Sequence, residues 1–355
     1  MVHPLLARAL AGGAPIIDDT TATFLWQGPW PPVVAGDLNG WDTRHAPAVS
    51  AWRRVAPGLW AYQVELPRDA YIEYAFFAST DGGARLPDPL NPRATSNGMG
   101  ADNNFFYMPD AAPTPLVERQ AGVARGTLSH HTLESGWLLA NGRRAVWLYQ
   151  PPVTQPAPLV VVFDGWDYLQ RGLLAEIADN LIAQGRIAPI ALAFADHGGP
   201  ARGVEYLCSE ATLRFVVDLV VPLAQAQLNL VDIRETPGAF GVLGASAGGR
   251  MALFTGLMCP EIFGHVLSQS GAFGMGDRAS VIFSLVRHGP VRPLKLWLDC
   301  GRYESLLEPN REMHAALTAR GYDVIYREYN AGHNVPAWRN AVWRGLEQLF
   351  GPHAA

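Results

Sequence analysis

The segment Phe240-Gly-Val-Leu-Gly244-Ala245-Ser246-Ala247-Gly248-Gly249-Arg250-Met-Ala-Leu carries the chemistry most readily read from this chain. It is a Gly-x-Ser-x-Gly set between a buried strand and an apolar helix, which is the context the motif requires. A serine on a sharp, strained strand-to-helix turn presents its hydroxyl as a nucleophile. Small residues at 244 and 248 let the turn close, and the helix start adds N–H groups and a positive dipole end beside the serine oxygen. A phosphate-binding turn is the competing reading, but the Lys of a P-loop and the GxGxxG spacing of a dinucleotide fold are both missing. The expected chemistry is acyl transfer through a covalent serine intermediate.

A serine nucleophile needs a base, and in this architecture the triad follows in chain order Ser, then Asp or Glu, then His. Of ten histidines, three lie late enough. His314 sits inside the amphipathic run NREMHAALTAR, and His353 lies in the terminal GPHAA. His333 falls in Tyr329-Asn330-Ala331-Gly332-His333-Asn334, a loop between a strand and a helix, where Gly332 gives the backbone freedom to aim the imidazole. For the acid, the candidates are Asp299 within KLWLDC and Glu304 and Glu308 beyond it. Glu304, on the loop just beyond the strand, is favoured over Asp299 at the strand end and over Glu308. The oxyanion donors are expected from the backbone N–H of Ala247 and from Gly165 or Trp166, in the loop after LVVVF. Asp164 reads as a carboxylate that braces that loop.

These residues need a scaffold, and the chain has two textures. Residues 20 to 110 hold short runs such as TATFLW, LWAYQVEL and YIEYAFFA between Gly, Pro, Asn and Asp, as in a small all-β sandwich. Residues 128 to 352 alternate strand-like and helix-like segments. Strands such as LVVVF and IALAF are apolar throughout, as in a mainly parallel sheet buried on both faces. The expected fold is α/β: a hydrolase domain over 128–355 with a mainly parallel central sheet. An all-β immunoglobulin-like domain over 1–112 precedes it, joined by a linker at 113–127 rich in Pro, Ala and Gly.

Composition narrows the partners. Apolar residues make up 49% and charged residues 17%, which argues against disorder. The net charge is −5 and no Lys/Arg run occurs, so nucleic acid and anionic membranes are poor partners. Cys208, Cys259 and Cys300 are too scattered for a disulfide framework or a zinc cluster, and no metal or organic cofactor is expected. The N-terminal MVHPLLARALAGGAPIIDD lacks a basic region ahead of its apolar stretch, so a cytoplasmic protein is expected.

At these residues the C-terminal block resembles the enterochelin (ferric enterobactin) esterases and the wider esterase D/feruloyl esterase group. The likeness runs through VVVFDGWDY, then Arg202 with Glu205, GASAGGRMALFTGLMCPEIFGHVLSQSGAF, LDCGRYESLL and AGHNVPAWR. It implies Ser246, Glu304 and His333 as the triad, with Glu304 dispensable in some relatives of this type. Asn334 departs from it, since that group usually carries Asp after the histidine. In the N-terminal block, Asp88-Pro-Leu-Asn-Pro92 resembles the first domain of those esterases. Val34-Ala-Gly36-Asp37-Leu-Asn39-Gly40-Trp41 is similar to a glycogen-binding (CBM48-type) module. Trp41 and Asn103 match its sugar site, but Ala75 and Arg85 stand at its Lys and second Trp positions.

The resemblance implies a siderophore ester substrate. Arg171, Arg202, Arg250, Arg302 and Arg339 would suit an anionic ligand, with an Arg202–Glu205 ion pair as the structural alternative for Arg202. Trp166 and Tyr168 would stack on an aromatic acyl group. Tyr168, Arg202, Arg250 and Arg302 are thus the expected substrate-binding set. A feruloyl, acetyl or other general carboxylesterase is the alternative. A non-catalytic carbohydrate-binding protein is the alternative of another class.

Overall fold

Short apolar and aromatic strands, separated by turns rich in Gly, Pro, Asn and Asp, build two antiparallel sheets in the N-terminal part of the chain. The structure, a computed structural model, describes residues 2–44, 51–274 and 281–352; His353 lies outside them. Two units are distinguished: Met1–Pro113 with Gly301–Ser305 and Tyr329–Ala337, and Thr114–Cys300 with Leu306–Glu328 and Trp338–Ala355.

The first unit opens with a helix not expected from the sequence, α1 (Pro4–Gly12), with Pro4 at its first position and His3 Nδ1 accepting from the Leu5 N–H. Its strands are β1 (Ile16–Asp18), β2 (Thr21–Gln27), β3 (Val33–Gly36), β4 (Arg53–Ala56), β5 (Leu59–Glu65), β6 (Tyr71–Phe77), β7 (Arg85–Leu86), β8 (Ala94–Ser96) and β9 (Asp102–Tyr107). One sheet runs β1-β2-β5-β4 and the other β3-β6-β9-β8, with β7 paired to β6. Their shared core holds Phe24, Trp52, Tyr74, Phe76 and Phe106. Phe24 meets Tyr74 edge-on, with centroids 4.9 Å apart and planes at 88°, the geometry the ring quadrupoles favour. The Tyr74 hydroxyl is buried with its ring, so it needs partners. The Asp88-Pro-Leu-Asn-Pro92 stretch supplies them: the hydroxyl donates to Asp88 at 2.6 Å and accepts from Asn91 at 3.0 Å.

In the second unit β10 (Thr127–Glu134) and β11 (Arg143–Gln150) precede β12 (Leu159–Phe163), α2 (Gly165–Gln170), α3 (Leu174–Ala183) and β13 (Ala191–Ala195). Then follow α4 (Arg202–Glu205), α5 (Glu210–Phe215), α6 (Val221–Gln227), β14 (Phe240–Ala245), α7 (Ala247–Met258) and β15 (Phe263–Gln269). The chain ends with α8 (Val281–His288), β16 (Lys295–Gly301), α9 (Leu307–Ala319), β17 (Asp323–Tyr329) and α10 (Val335–Phe350). The eight strands order as β10-β11-β13-β12-β14-β15-β16-β17. The pairings from β13 through β16 are parallel, and β10 and β11 add an antiparallel edge. Strands β12, β13 and β14 are buried at every residue, as a sheet covered on both faces requires. From β12 the order runs to β13 on one side and to β14 on the other. The carboxyl ends at that reversal form the crevice where α/β sheets hold ligands.

Three local features differ from the expectation. The residue pattern of Thr212–Leu228 predicts one long helix, but the run is α5 and α6 joined by a π segment, Val216–Val220. Pro222 lacks the N–H that would continue the α ladder, and the widened turn accommodates it. The stretch expected as a linker is docked. Leu116 is buried, Asn180 donates to the carbonyls of Leu116 and Glu118, and the Thr114 N–H donates to Asn340. The third is a correction: Glu205 pairs with Arg144, not Arg202.

Arg144 and Glu205 are 3% and 4% exposed. Arg144 also donates to the carbonyls of Leu139 and Ala140, and Glu205 accepts from the Gly198 N–H. Removing one partner leaves the other charge buried and uncompensated. Glu205→Gln should therefore lower the unfolding free energy by about 3 kcal/mol, read as a shifted urea midpoint at unchanged slope. Replacing both residues by methionine should cost less than the single change.

Candidate functional site

The nucleophile candidate sits where the sequence analysis expects it, between β14 and α7. Ser246 has φ 58° and ψ −122°, a conformation that costs a non-glycine residue on the order of 1–3 kcal/mol and persists only where the surroundings impose it. They do so here. Its N–H donates to the Gln269 carbonyl at 2.8 Å, and its carbonyl accepts from the N–H groups of Arg250 and Ala272 at 3.1 and 2.9 Å. The turn is tight enough that a Cβ on Gly244 would lie 2.4 Å from the Gly248 carbonyl oxygen. Ala247 opens α7, whose first-turn N–H groups have no partners within the helix.

The strand beside it ends in a second helix start. Asp164 follows β12 with φ 56°, and Gly165 and Trp166 are the first residues of α2. Asp164 is 6% exposed, and Arg202 clasps its carboxylate through Nε at 2.6 Å and Nη2 at 2.7 Å, the strong two-pronged form of ion pair. Burial alone would pull the Arg202 guanidinium down, but the Asp164 carboxylate more than offsets this and holds it above its usual value. The Asp164 N–H donates to the Tyr206 hydroxyl at 3.2 Å. The loop carrying Gly165 and Trp166 is therefore braced from both ends of one residue.

Several side chains expected at the substrate are engaged with the protein itself. Arg202 is held by Asp164. Arg250 is 5% exposed and donates to the carbonyls of Tyr206 and Ala272. Tyr168 is buried, and its hydroxyl donates to Gln269 at 2.9 Å. Arg171 pairs with Asp167 at 2.8 Å. Arg302 and Trp166 are exposed, and Trp166 leans on Trp147 with centroids 5.3 Å apart. Burial pushes the thiols of Cys208 and Cys259 up to about 11, the ordinary state of unreactive cysteine.

In the other unit, Glu304 and His333 are hydrogen-bonded through Oε2 and Nδ1. The side chains are 2% and 34% exposed respectively, so the acid is enclosed and the imidazole reaches out. The second oxygen, Oε1, accepts from the Gly301 N–H at 2.8 Å. With the ring proton on the Nδ1 that faces the carboxylate, Nε2 carries the lone pair, the tautomer a general base needs. The competing acids have partners of their own. Asp299 is fully buried and accepts from the Trp297 indole at 2.9 Å and from Gln269. Glu308 pairs with Arg311 on the surface at 2.6 Å.

The residues that carried the sugar-site likeness are tied to one another. The Trp41 indole donates to Asp37 at 3.0 Å, and its ring faces the Arg85 guanidinium at 5.7 Å. Arg85 bonds Asn103, and Asn103 donates to Glu73 at 2.6 Å. Burial, then the charge of Glu73, pushes the Asp37 carboxyl well above its usual range. Asp37 and Gln269 belong to these networks without a motif in the sequence that marks them. Asp37 was visible only as one letter of the glycogen-module likeness, and Gln269 only as one letter of the run GHVLSQSGAF.

Comparison with known proteins places the chain in a family. The family model Esterase, described as "Putative esterase", matches residues 139–349. The Iron(III) enterobactin esterase of Dickeya dadantii is 28% identical, over 92% of this chain and 87% of its own length. The crystal structure of ferric enterobactin esterase from Salmonella typhimurium superposes with a TM-score of 0.76 at 21% identity, covering 93% of each chain. A ferulic acid esterase from Anaeromyces mucronatus superposes with a TM-score of 0.55 at 18% identity, covering 66% of this chain and 95% of that one. The chain has an α/β-hydrolase-like fold, belongs to the Esterase family and is a carboxylic ester hydrolase.

Proposed function

We propose that this protein hydrolyses the esters of a catechol-type ferric siderophore, of the enterochelin kind, through an acyl-enzyme on Ser246. The reach of the likeness carries the substrate reading. The enterobactin esterase relative matches 92% of the chain, including the N-terminal sandwich, whereas the ferulic acid esterase fold spans 66%.

In this reading His333 Nε2 takes the proton of the Ser246 hydroxyl as Oγ attacks the ester carbonyl carbon. The backbone N–H of Ala247, with that of Gly165 or Trp166, holds the oxyanion. Collapse of the tetrahedral intermediate expels the alcohol, which receives the proton from His333. Water then repeats the sequence against the acyl-enzyme, returning the serine and releasing the acid. Glu304 orients the imidazole and stabilises its charged form. The strained turn at Ser246 and the Glu304–His333 hydrogen bond support these roles. Arg302 and the Trp166 face are the side chains proposed to meet an anionic, aromatic ligand, with the iron as part of the substrate. The two antiparallel sheets of the first unit support an immunoglobulin-like domain there. Among the described residues no helix is long and apolar enough to cross a membrane, and we place the protein in the cytoplasm, acting on an imported ligand.

The test is one substrate panel: ferric enterobactin, methyl ferulate and short p-nitrophenyl esters, each with wild type. Ferric enterobactin should have the highest kcat/KM. A higher value for methyl ferulate or a p-nitrophenyl ester would replace the siderophore reading with the general carboxylesterase.

A further inference from the structure

The loop that carries His333 belongs, by its contacts, with the N-terminal sandwich. Asn330 donates to Asp69 at 2.7 Å, and its carbonyl accepts from the Tyr71 N–H at 2.9 Å. Ala331 and Ala337 are buried against Tyr71, with Phe105 and Tyr107 around them. The innermost contact is with Asp37, which stands at the end of β3 and is 3% exposed. Its carboxyl accepts from the Trp41 indole at 3.0 Å, the Glu73 N–H at 2.8 Å and the Asn334 amide at 3.3 Å. Asn334 is thereby doubly used, because its Oδ1 caps α10 by accepting from the Ala337 N–H at 2.9 Å.

Gly332 is pressed onto the same carboxyl. A Cβ there would lie 2.0 Å from Asp37 Oδ1 and 2.1 Å from its Cγ, inside any tolerable contact. Asp37 therefore meets the residue on each side of His333, one by steric contact and one by a hydrogen bond. The departure at Asn334 from the family's usual Asp has a local reason, since an amide can donate to that carboxyl and a carboxylate cannot.

We propose that Asp37 of the N-terminal sandwich is a positioning residue for His333, acting through Gly332 and Asn334. This rests on the reading of His333 as the base. The N-terminal sandwich then serves catalysis by holding the base loop in register, and the Asp37-Leu-Asn-Gly-Trp41 segment is kept for that purpose and not for sugar.

The test is a size exchange. Gly332→Ala must push the loop off Asp37, and kcat should fall about 100-fold, the cost of misplacing a catalytic group by about 1 Å, with KM within a factor of about two. Asp37→Ala removes the obstruction, so the double variant should exceed Gly332→Ala by about ten-fold, a non-additivity expected only of residues in contact. Asp37→Ser, which keeps a hydrogen-bonding oxygen, carries the same exchange should thermal melting show that Asp37→Ala does not fold. The second readout is the rate at which a fluorophosphonate labels Ser246, followed by intact mass. Gly332→Ala with wild-type kcat, or a double variant no better than Gly332→Ala, would overturn the proposal. Labelling that persists in His333→Ala would instead overturn the base assignment beneath it.

Discussion

Ser246→Ala should abolish ester turnover, with kcat/KM falling about 10⁴- to 10⁶-fold, as the loss of the whole acyl-enzyme route requires. The residual rate would come from binding and the oxyanion donors alone. The variant should fold as wild type, because alanine changes neither the backbone contacts of residue 246 nor its dihedrals. Ser246→Gly supplies the complementary result. It should be equally inactive, yet more stable than wild type by about 1 kcal/mol, since glycine adopts φ 58° and ψ −122° without the penalty a side chain imposes. Steady-state rates and melting curves of the two variants together separate a strained nucleophile from a strained structural turn. Turnover within about ten-fold of wild type in Ser246→Ala would remove Ser246 from the mechanism.

Local pattern made the central sheet legible. Segments such as LVVVF and IALAF are apolar at every position, and a strand buried on both faces leaves no other reading. The nucleophile turn was legible for the same reason, since its requirements fall within a few consecutive residues. Strand β10 was not, because TLSHHTLE is exposed over most of its length and carries polar residues on both faces. The pairings that brace the site were least legible. For Arg202 the alternative to a substrate contact was Glu205 three residues on, but it reaches 38 positions back to Asp164. Glu205 reaches 61 positions back to Arg144. Asp37 and Asn334 are 297 apart. Ion pairs and buried carboxyls are chosen by where the fold brings charges together, and sequence proximity carries little of that information. The glycogen-module likeness shows the converse. Trp41 and Asn103, which carry that likeness in the sequence, are engaged by Asp37, Arg85 and Glu73 of the same unit.

His333→Ala should lower kcat/KM nearly as far as Ser246→Ala, and the double variant should be no worse than either single one, because nucleophile and base act as a unit. Since the imidazole is 34% exposed, imidazole added to His333→Ala should restore part of the rate, while Ser246→Ala should not respond. Glu304 gives the sharper result through its two oxygens. In the native protein Oε1 accepts from the Gly301 N–H and Oε2 faces His333 Nδ1. A glutamine can keep the Gly301 contact only by turning its NH₂ toward Nδ1. That forces the proton onto Nε2, where a base can no longer accept one. Glu304→Gln should therefore cost about 10³- to 10⁴-fold in kcat, the scale of a wrong tautomer. Glu304→Ala imposes no tautomer, lets water reach Nδ1, and should retain more activity than the glutamine variant despite removing more of the side chain. The reverse ranking, or full activity in Glu304→Gln, would mean that the Ser246–His333 pair works without its acid and that Glu304 serves the Gly301 turn alone.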